Sequence, residues 1–479
     1  MKKCLILMSL ICITFSNVIT AKAEVINPST INYSKSIDEK TIVNAEQPKV
    51  NASAAIVMEA STGAILYSKN VHDSYYPASI TKILTALLAL ENSSLGETVT
   101  FSKKAVFDVD LDSSRIGIDV GERLTMEESL YGIMLESANE VSYAVAEHIS
   151  GDVDSFSALM NKRAKELGAT DSHFINPHGL PDPDHYTSAY DMAVISRAAI
   201  NNPTFRKITS TRTFTIPPTN IQEKARPLAN HHKFINGAMP FEGAIGGKTG
   251  YTTKAKYTLV TFAERNGMTL ISVVMSCDSI KDEYSDTSNI LNYGFNNFSV
   301  YNIAEMENPM DTESISLFSN NNAVFSTTRT ALKLNPESNI ILPNGASLED
   351  VKKEIEFKPI TKLVEGEHII GTISYSYNGM FAGSSDIIFN NVASDTLLKS
   401  SILPLQTVES EKGEDGKPII GKSNISMKSI VIGVIVGVVV LGAGLYVIFV
   451  EIPFRKRRQA YHQKRNRRKH SSDTSYIDL

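Results

Sequence analysis

A chain of 479 residues, 42% hydrophobic and 21% charged, can bury full cores, which excludes global disorder and leaves room for two folded domains with appendages. The net charge of −5 is unevenly spread: residues 1–23 carry +3 and residues 451–479 carry +6, so residues 24–450 hold −14. That acidic body excludes nucleic acid as a main partner.

Taken in order, Met1-Lys2-Lys3, the apolar run from Cys4 to Phe15 and Ala21-Lys22-Ala23 have the three parts of a secretory signal peptide, with cleavage expected after Ala23. Cys4 and Cys12 leave with it, so the mature chain keeps Cys277 and forms no internal disulfide. Cys277 ends an apolar run and reads as a packed small hydrophobe. Residues 24–50 are polar and without period, as in a flexible leader, and the first folded domain is expected over 51–297. It opens with short apolar strands, Ala54 to Glu59 and Ala64 to Tyr67, on either side of Ser61-Thr62-Gly63, a hairpin turn whose glycine supplies positive φ.

Pro77-Ala78-Ser79-Ile80-Thr81-Lys82 comes next, followed by apolar residues at helical spacing from Ile83 to Leu90. Ser79 then sits near a helix N-terminus with Lys82 on the same face. A buried pair of this kind suits a nucleophile and its base, because burial favours the neutral amine and the helix dipole favours an anionic oxygen; a plain helix start is the alternative. After Ser113-Ser114-Arg115 and Gly117 to Gly121, the stretch Thr125 to Met134 has helical period and early acidic residues. It leads to Glu136-Ser137-Ala138-Asn139-Glu140, where Ser137 and Asn139 share a face only if the backbone is extended or turning. There a hydroxyl can relay a proton and a carboxamide can hold an amide, although both residues are also favoured helix caps. Apolar helices are expected at Val141 to Ile149 and Phe156 to Leu167.

Asn176-Pro177-His178-Gly179-Leu180-Pro181-Asp182-Pro183 is dense in turn formers and predicts a loop. Ser188 and Asp191 form a capping pair ahead of a helix from Ala189 to Ile200. His178, His185 and the His231-His232 pair invite a metal reading, but no acidic or cysteine partner stands at a metal-site spacing, so neither metal nor other cofactor is expected. Gly246-Gly247-Lys248-Thr249-Gly250-Tyr251-Thr252 precedes strands at Tyr257 to Ala263 and Thr269 to Ser276. Glycines here allow close approach to a strand edge, and Lys248 with Thr249 suits a substrate carboxylate; no Gly-x-x-x-x-Gly phosphate cradle precedes them. Short alternating strands, for instance Ile369 to Tyr375, predict a small β domain over 298–404. Residues 405–428 read as a linker, and the uncharged segment 429–450 spans ~33 Å as a helix, enough for one bilayer crossing. Nine Lys and Arg residues in the tail 451–479 place that tail in the cytoplasm and the body outside the membrane.

Three patterns in this order, Ser79-x-x-Lys82, Ser137-x-Asn139 and Lys248-Thr249-Gly250, are shared by penicillin-binding proteins and class A β-lactamases. The wording around them, including Asn176 to Leu180, His185-Tyr186, Asp191-Met192-Ala193 and Lys248 to Tyr251, resembles the D-alanyl-D-alanine carboxypeptidases, the low-molecular-weight penicillin-binding proteins, over about residues 50–295. The resemblance implies an α+β fold, a β-lactamase/transpeptidase-like domain of antiparallel sheet with helices followed by a small all-β domain; where relatives often end in an amphipathic membrane-surface helix, the uncharged segment 429–450 here reads instead as a C-terminal transmembrane helix. It also implies that Ser79 attacks the carbonyl between the terminal D-alanines of peptidoglycan stem peptides with Lys82 as base. Ser137 would pass the proton to the leaving amine, Asn139 hold the substrate amide, and Lys248 and Thr249 take the terminal carboxylate. The backbone N–H groups of Ser79 and Tyr251, next to Gly250, would bind the oxyanion, and β-lactams would acylate Ser79. Ala138 stands where the family often has glycine, which requires a negative φ, and His231 stands where a basic residue often lies between two asparagines. DD-endopeptidase action at the same site and a non-catalytic wall-binding protein are the alternatives. A β-lactamase lacks support, since no Glu-x-x-Leu-Asn-like loop lies between Ser137 and Lys248.

Overall fold

The computed structural model describes residues 46–307, 332–358 and 366–391. The expected signal peptide, linker, membrane span and basic tail lie outside the described residues. Among the described residues no helix is long and apolar enough to cross a membrane.

The centre is a five-stranded antiparallel sheet with spatial order Ile65–Lys69, Ala54–Glu59, Met268–Cys277, Lys256–Arg265 and Ala244–Thr252. All six residues of Ala54–Glu59 are buried, because layers cover both faces of the sheet. Alternate residues serve the two layers, as the period of a strand requires. Ile56, Phe262, Val273 and Met275 pack into the helical core, while Ala55, Val57, Leu259 and Val274 face the helix Ile280–Asn297 through Tyr284, Ile290 and Leu291. Gly63, with φ of 78°, makes the expected hairpin turn.

The helical layer is built around Lys82–Asn92, buried from Lys82 through Ala89. Against it stand Met126–Leu135, Asn139–Ser150, Val153–Glu166 and Ala189–Ile200. Met126–Leu135 starts at a capping box in which Thr125 accepts from the Glu128 N–H and the Glu128 carboxylate accepts from the Thr125 N–H. Val153–Glu166 begins three residues before the apolar signal at Phe156, because Asp152 caps it by accepting from the Ser155 N–H.

At Phe298 the helix Ile280–Asn297 passes directly into a second, six-stranded antiparallel sheet. Its main order is Phe298–Asn302, Asn339–Pro343, Met380–Asn391, Gly366–Tyr377 and Val351–Phe357, with Leu332–Leu334 paired to Met380–Asn391. The expected strand Ile369 to Tyr375 falls inside Gly366–Tyr377. Phe298, Ile341 and Met380 share a core with Tyr67 and Tyr293, and the Tyr293 and Phe298 rings meet edge to face at 6.0 Å.

Candidate active site

Ser79 lies in a 3-10 turn, Ala78–Thr81, that runs into the α-helix Lys82–Asn92. The tighter turn leaves it half-buried rather than sunk in the helix. Ala78 has φ of 51°, a conformation a non-glycine residue adopts only when its surroundings impose it. The surroundings here are the Asn176 loop and the strand Lys256–Arg265. A Cβ on Gly179 would fall 1.8 Å from the Ala78 carbonyl oxygen, so only glycine fits against the turn, and its own φ of 85° suits glycine as well. Thr258 Oγ1 donates to the Pro77 carbonyl at 2.9 Å, and Thr85 Oγ1 donates to the Pro177 carbonyl at 2.6 Å. His185 accepts the Ile175 N–H at Nδ1, which leaves Nε2 protonated and donating to Thr81 Oγ1 at 3.0 Å. Burial lowers the His185 pKa to about 4 and keeps the ring neutral in that role. His178 is likewise absorbed by its loop, its Nδ1 accepting from the Leu180 N–H at 3.2 Å.

Lys82 is fully buried, and its Nζ stands 3.0 Å from Ser79 Oγ, 2.6 Å from Asn139 Oδ1 and 2.6 Å from the His178 carbonyl oxygen. Two of these neighbours accept only. They take two amine protons, and the remaining tetrahedral position of Nζ points at the Ser79 hydroxyl. An ammonium donates there; a neutral amine presents its lone pair there. Burial, reinforced by the Lys248 cation and opposed by Glu140, pulls the Lys82 pKa well below its ordinary value and so favours the lone pair.

The segment Glu136 to Asn139 turns between the helices Met126–Leu135 and Asn139–Ser150, and Asn139 at the start of the second helix reaches Lys82. Ser137 has φ of 61° and a buried hydroxyl with no hydrogen-bond partner. Ala138 has φ of −59°, so the side chain in place of glycine is accommodated without strain. The Asn139 N–H donates to the Ser114 carbonyl at 2.9 Å, and the buried Glu140 accepts from the Ile116 and Gly117 N–H groups at 2.7 and 3.2 Å. The loop after Ser113 is thereby closed over the second motif. Glu136 accepts from the Ala229 N–H at 2.6 Å and pairs with His231 Nε2 at 3.0 Å, which draws the Asn230 segment toward the same side. Burial, with help from Lys248, lowers the His231 pKa while Glu136 opposes the shift.

Lys248 to Tyr251 lie on Ala244–Thr252, which among the described residues is an edge strand of the main sheet. A Cβ on Gly250 would approach Ser79 N to 2.9 Å, so this glycine lets the strand lie directly against the nucleophile's backbone. Gly247 admits His232 in the same way, a Cβ there falling 2.5 Å from the ring, and His232 is fixed by Thr261 Oγ1 at 2.9 Å. Lys248 is buried, donates to the Thr249 carbonyl at 3.0 Å, and has its pKa lowered to about 7 by burial, against the pull of Glu136. Tyr251 is 57% exposed, its ring 4.5 Å from that of Tyr257.

A family model described as D-alanyl-D-alanine carboxypeptidase matches residues 41–279. The D-alanyl-D-alanine carboxypeptidase DacF of Bacillus subtilis is 31% identical over 339 residues, covering 70% of this chain and 84% of the relative. This chain belongs to the D-alanyl-D-alanine carboxypeptidase family. The Streptomyces sp. K15 member is 33% identical over 52% of this chain and 89% of its own length. Penicillin binding protein 5 from Haemophilus influenzae shares the fold with a TM-score of 0.57 at 28% identity, over 72% of this chain and 99% of its own. Within this family fold, Thr85, Thr258, Glu136 and Glu140 support the site without having been marked by any motif. Their partners are 92, 181, 93 and 24 positions away, which no local spacing reveals.

Proposed function

We propose that this chain is a serine-type D-Ala-D-Ala carboxypeptidase that removes the terminal D-alanine from peptidoglycan stem peptides through an acyl-enzyme, and that penicillins inhibit it by acylating the same serine. The carrying observation is the placement of Lys82 Nζ, with two acceptors fixing two of its protons and its remaining position aimed at Ser79 Oγ at 3.0 Å.

The neutral Lys82 takes the Ser79 proton as Oγ bonds to the carbonyl carbon between the two D-alanines. The negative oxygen is received by the N–H groups of Ser79 and Tyr251, a role supported by the contact of Gly250 with Ser79 N. The C–N bond then breaks, the unpartnered hydroxyl of Ser137 handing its proton to the leaving amine and taking one back from the Lys82 ammonium, which returns Lys82 to its neutral form. Asn139 holds the substrate amide, and Lys248 and Thr249 hold the terminal carboxylate. Water releases the shortened peptide from Ser79 along the same proton route. The signal-peptide pattern, the uncharged segment 429–450 and the basic tail support a single-pass protein whose catalytic domain faces away from the cytoplasm.

The test uses the full-length chain and a synthetic stem peptide ending in D-Ala-D-Ala. D-Alanine release by the wild type, with neither release nor covalent penicillin labelling by Ser79→Ala, is the expected result. Release that survives Ser79→Ala would remove Ser79 as nucleophile, and no release by the wild type would remove the activity.

A further inference from the structure

The strand that carries Lys248 gives the cleft a direction. If the terminal carboxylate lies at Lys248 and Thr249 and the scissile carbonyl at the Tyr251 N–H, the rest of the peptide continues past Tyr251 toward the hairpin tip at 252–256. An extended peptide would thus lie antiparallel on that sheet edge, as in strand addition. Three tyrosines and one cation stand at that end of the strand. The exposed Tyr251 ring rests on Tyr257 at 4.5 Å, and Lys254 Nζ lies over the Tyr76 ring, 5.5 Å from its centroid, three residues before Ser79.

Lys254 is distinct among its neighbours. Lys256, two residues on, is neutralised by Asp278 at 2.6 Å, whereas among the described residues Lys254 makes no ion pair. Lys254 is exposed, and the Tyr76 ring beneath its Nζ gives the ammonium a preferred seat on the Ser79 side of the strand.

We propose that Lys254, seated on Tyr76 beyond Tyr251, is a specificity-determining residue that recognises a carboxylate on the acyl side of the stem peptide, upstream of the D-alanine that becomes attached to Ser79. The inference rests on the carboxypeptidase reading and deepens it by naming the charge its substrate carries. Two positions of a stem peptide can supply such a group: the side chain of the third residue, when that residue is 2,6-diaminopimelate, and the free α-carboxylate of a γ-linked D-glutamate at the second.

Four pentapeptides ending in D-Ala-D-Ala separate these sources. Diaminopimelate or lysine at the third position differ by one carboxylate, and γ-linked D-glutamate or its amide at the second differ by one charge. The full-length wild type is expected to show kcat/KM roughly three- to fivefold higher for the charged member of one pair, the scale of an exposed ion pair, with the ratio shrinking as salt rises. Lys254→Gln should bring that ratio to about one, Lys254→Glu should invert it, and Lys254→Arg should keep it. Equal rates for all four peptides, or a ratio indifferent to the charge at 254, would overturn the proposal while leaving the carboxypeptidase standing. No release from any of the four would overturn both.

Discussion

The two sheets of this molecule solve different problems. Around the edge of the first, Lys82, Lys248, Glu140, His185 and Asp191 are all buried, and Lys82, Glu140, His185 and Asp191 each meet a specific acceptor or donor distant in sequence. In the second sheet the core is Ile303, Ile340, Leu342, Ile373 and Ile387, and among the described residues beyond Phe298 the buried polar side chains are those of Ser385 and the Tyr375 hydroxyl. Burying a charge costs several kcal/mol unless it is matched, so a concentration of such groups marks where chemistry, rather than stability alone, shapes the packing. Ala78 and Ser137, two non-glycine residues with positive φ, belong to the same region.

The largest effect is expected at Lys82. Lys82→Met keeps the volume but removes the amine that meets Ser79, Asn139 and the His178 carbonyl. Loss of a positioned base should lower the rate of penicillin acylation by roughly 10²–10⁴-fold, measured by stopped labelling, while the melting temperature stays the same or rises because a desolvated amine has gone. A near-normal rate would mean the lysine is structural. The next largest effect is expected at Gly179. Gly179→Ala drives a Cβ to 1.8 Å from the Ala78 carbonyl and must displace the serine turn, and displacement by about an ångström costs on the order of 10²-fold in rate. Full activity in this variant would show that the Asn176 loop does not position Ser79.

The same contrast explains what could be read in advance. The three motifs carry their chemistry in residue type and spacing, and hairpin, capping box and helix periods are local signals, so the meeting of Ser79 with Lys82, the strand under Lys248 and most element bounds near them are legible. Ser188 accepts from the Asp191 N–H as its spacing implies, yet the Asp191 carboxylate turns instead to the Asp171 N–H and Ser172 Oγ, at 2.7 and 2.6 Å. The roles of Gly179, Thr258 and Glu136 were illegible for the same reason: each depends on a tertiary contact with a backbone group that any residue type would present. The 3-10 turn at Ser79 belongs here too, since nothing in Pro77 to Lys82 distinguishes it from an α-helical start.

A subtler effect is expected from pH. Lys248 changes charge near pH 7, so the free enzyme holds the cation below that pH and loses it above. The value of kcat/KM for a substrate with a terminal carboxylate should therefore fall as pH rises through about 7. A bound carboxylate restores the ammonium, so kcat should lack this limb. Lys248→Gln should reduce kcat/KM at pH 6 by roughly tenfold, the worth of a buried charge-assisted contact, and abolish the limb. A limb of the same midpoint in the variant would assign it to another group, and in that case the buried cations of the first region would not all serve the substrate.

The smallest effect on catalysis is expected from the second sheet, where the contrast predicts stability without chemistry. Ile387 is 1% exposed and packs with Ile340, Leu342 and Ile373. Ile387→Ala leaves a cavity and should cost ~2–5 kcal/mol, read as a lower denaturation midpoint with the slope retained. Because its core is apolar and its junction with the first region runs through Phe298, Ile341 and Met380 rather than through any residue at Ser79, kcat/KM on a soluble pentapeptide should stay within about twofold of wild type. A larger fall in activity, in protein still folded at the assay temperature, would mean that strain in the second sheet reaches the serine turn. The shared core at Tyr67 and Tyr293 is the route such coupling would take, since Tyr67 stands on the strand Ile65–Lys69 beside Ala54–Glu59.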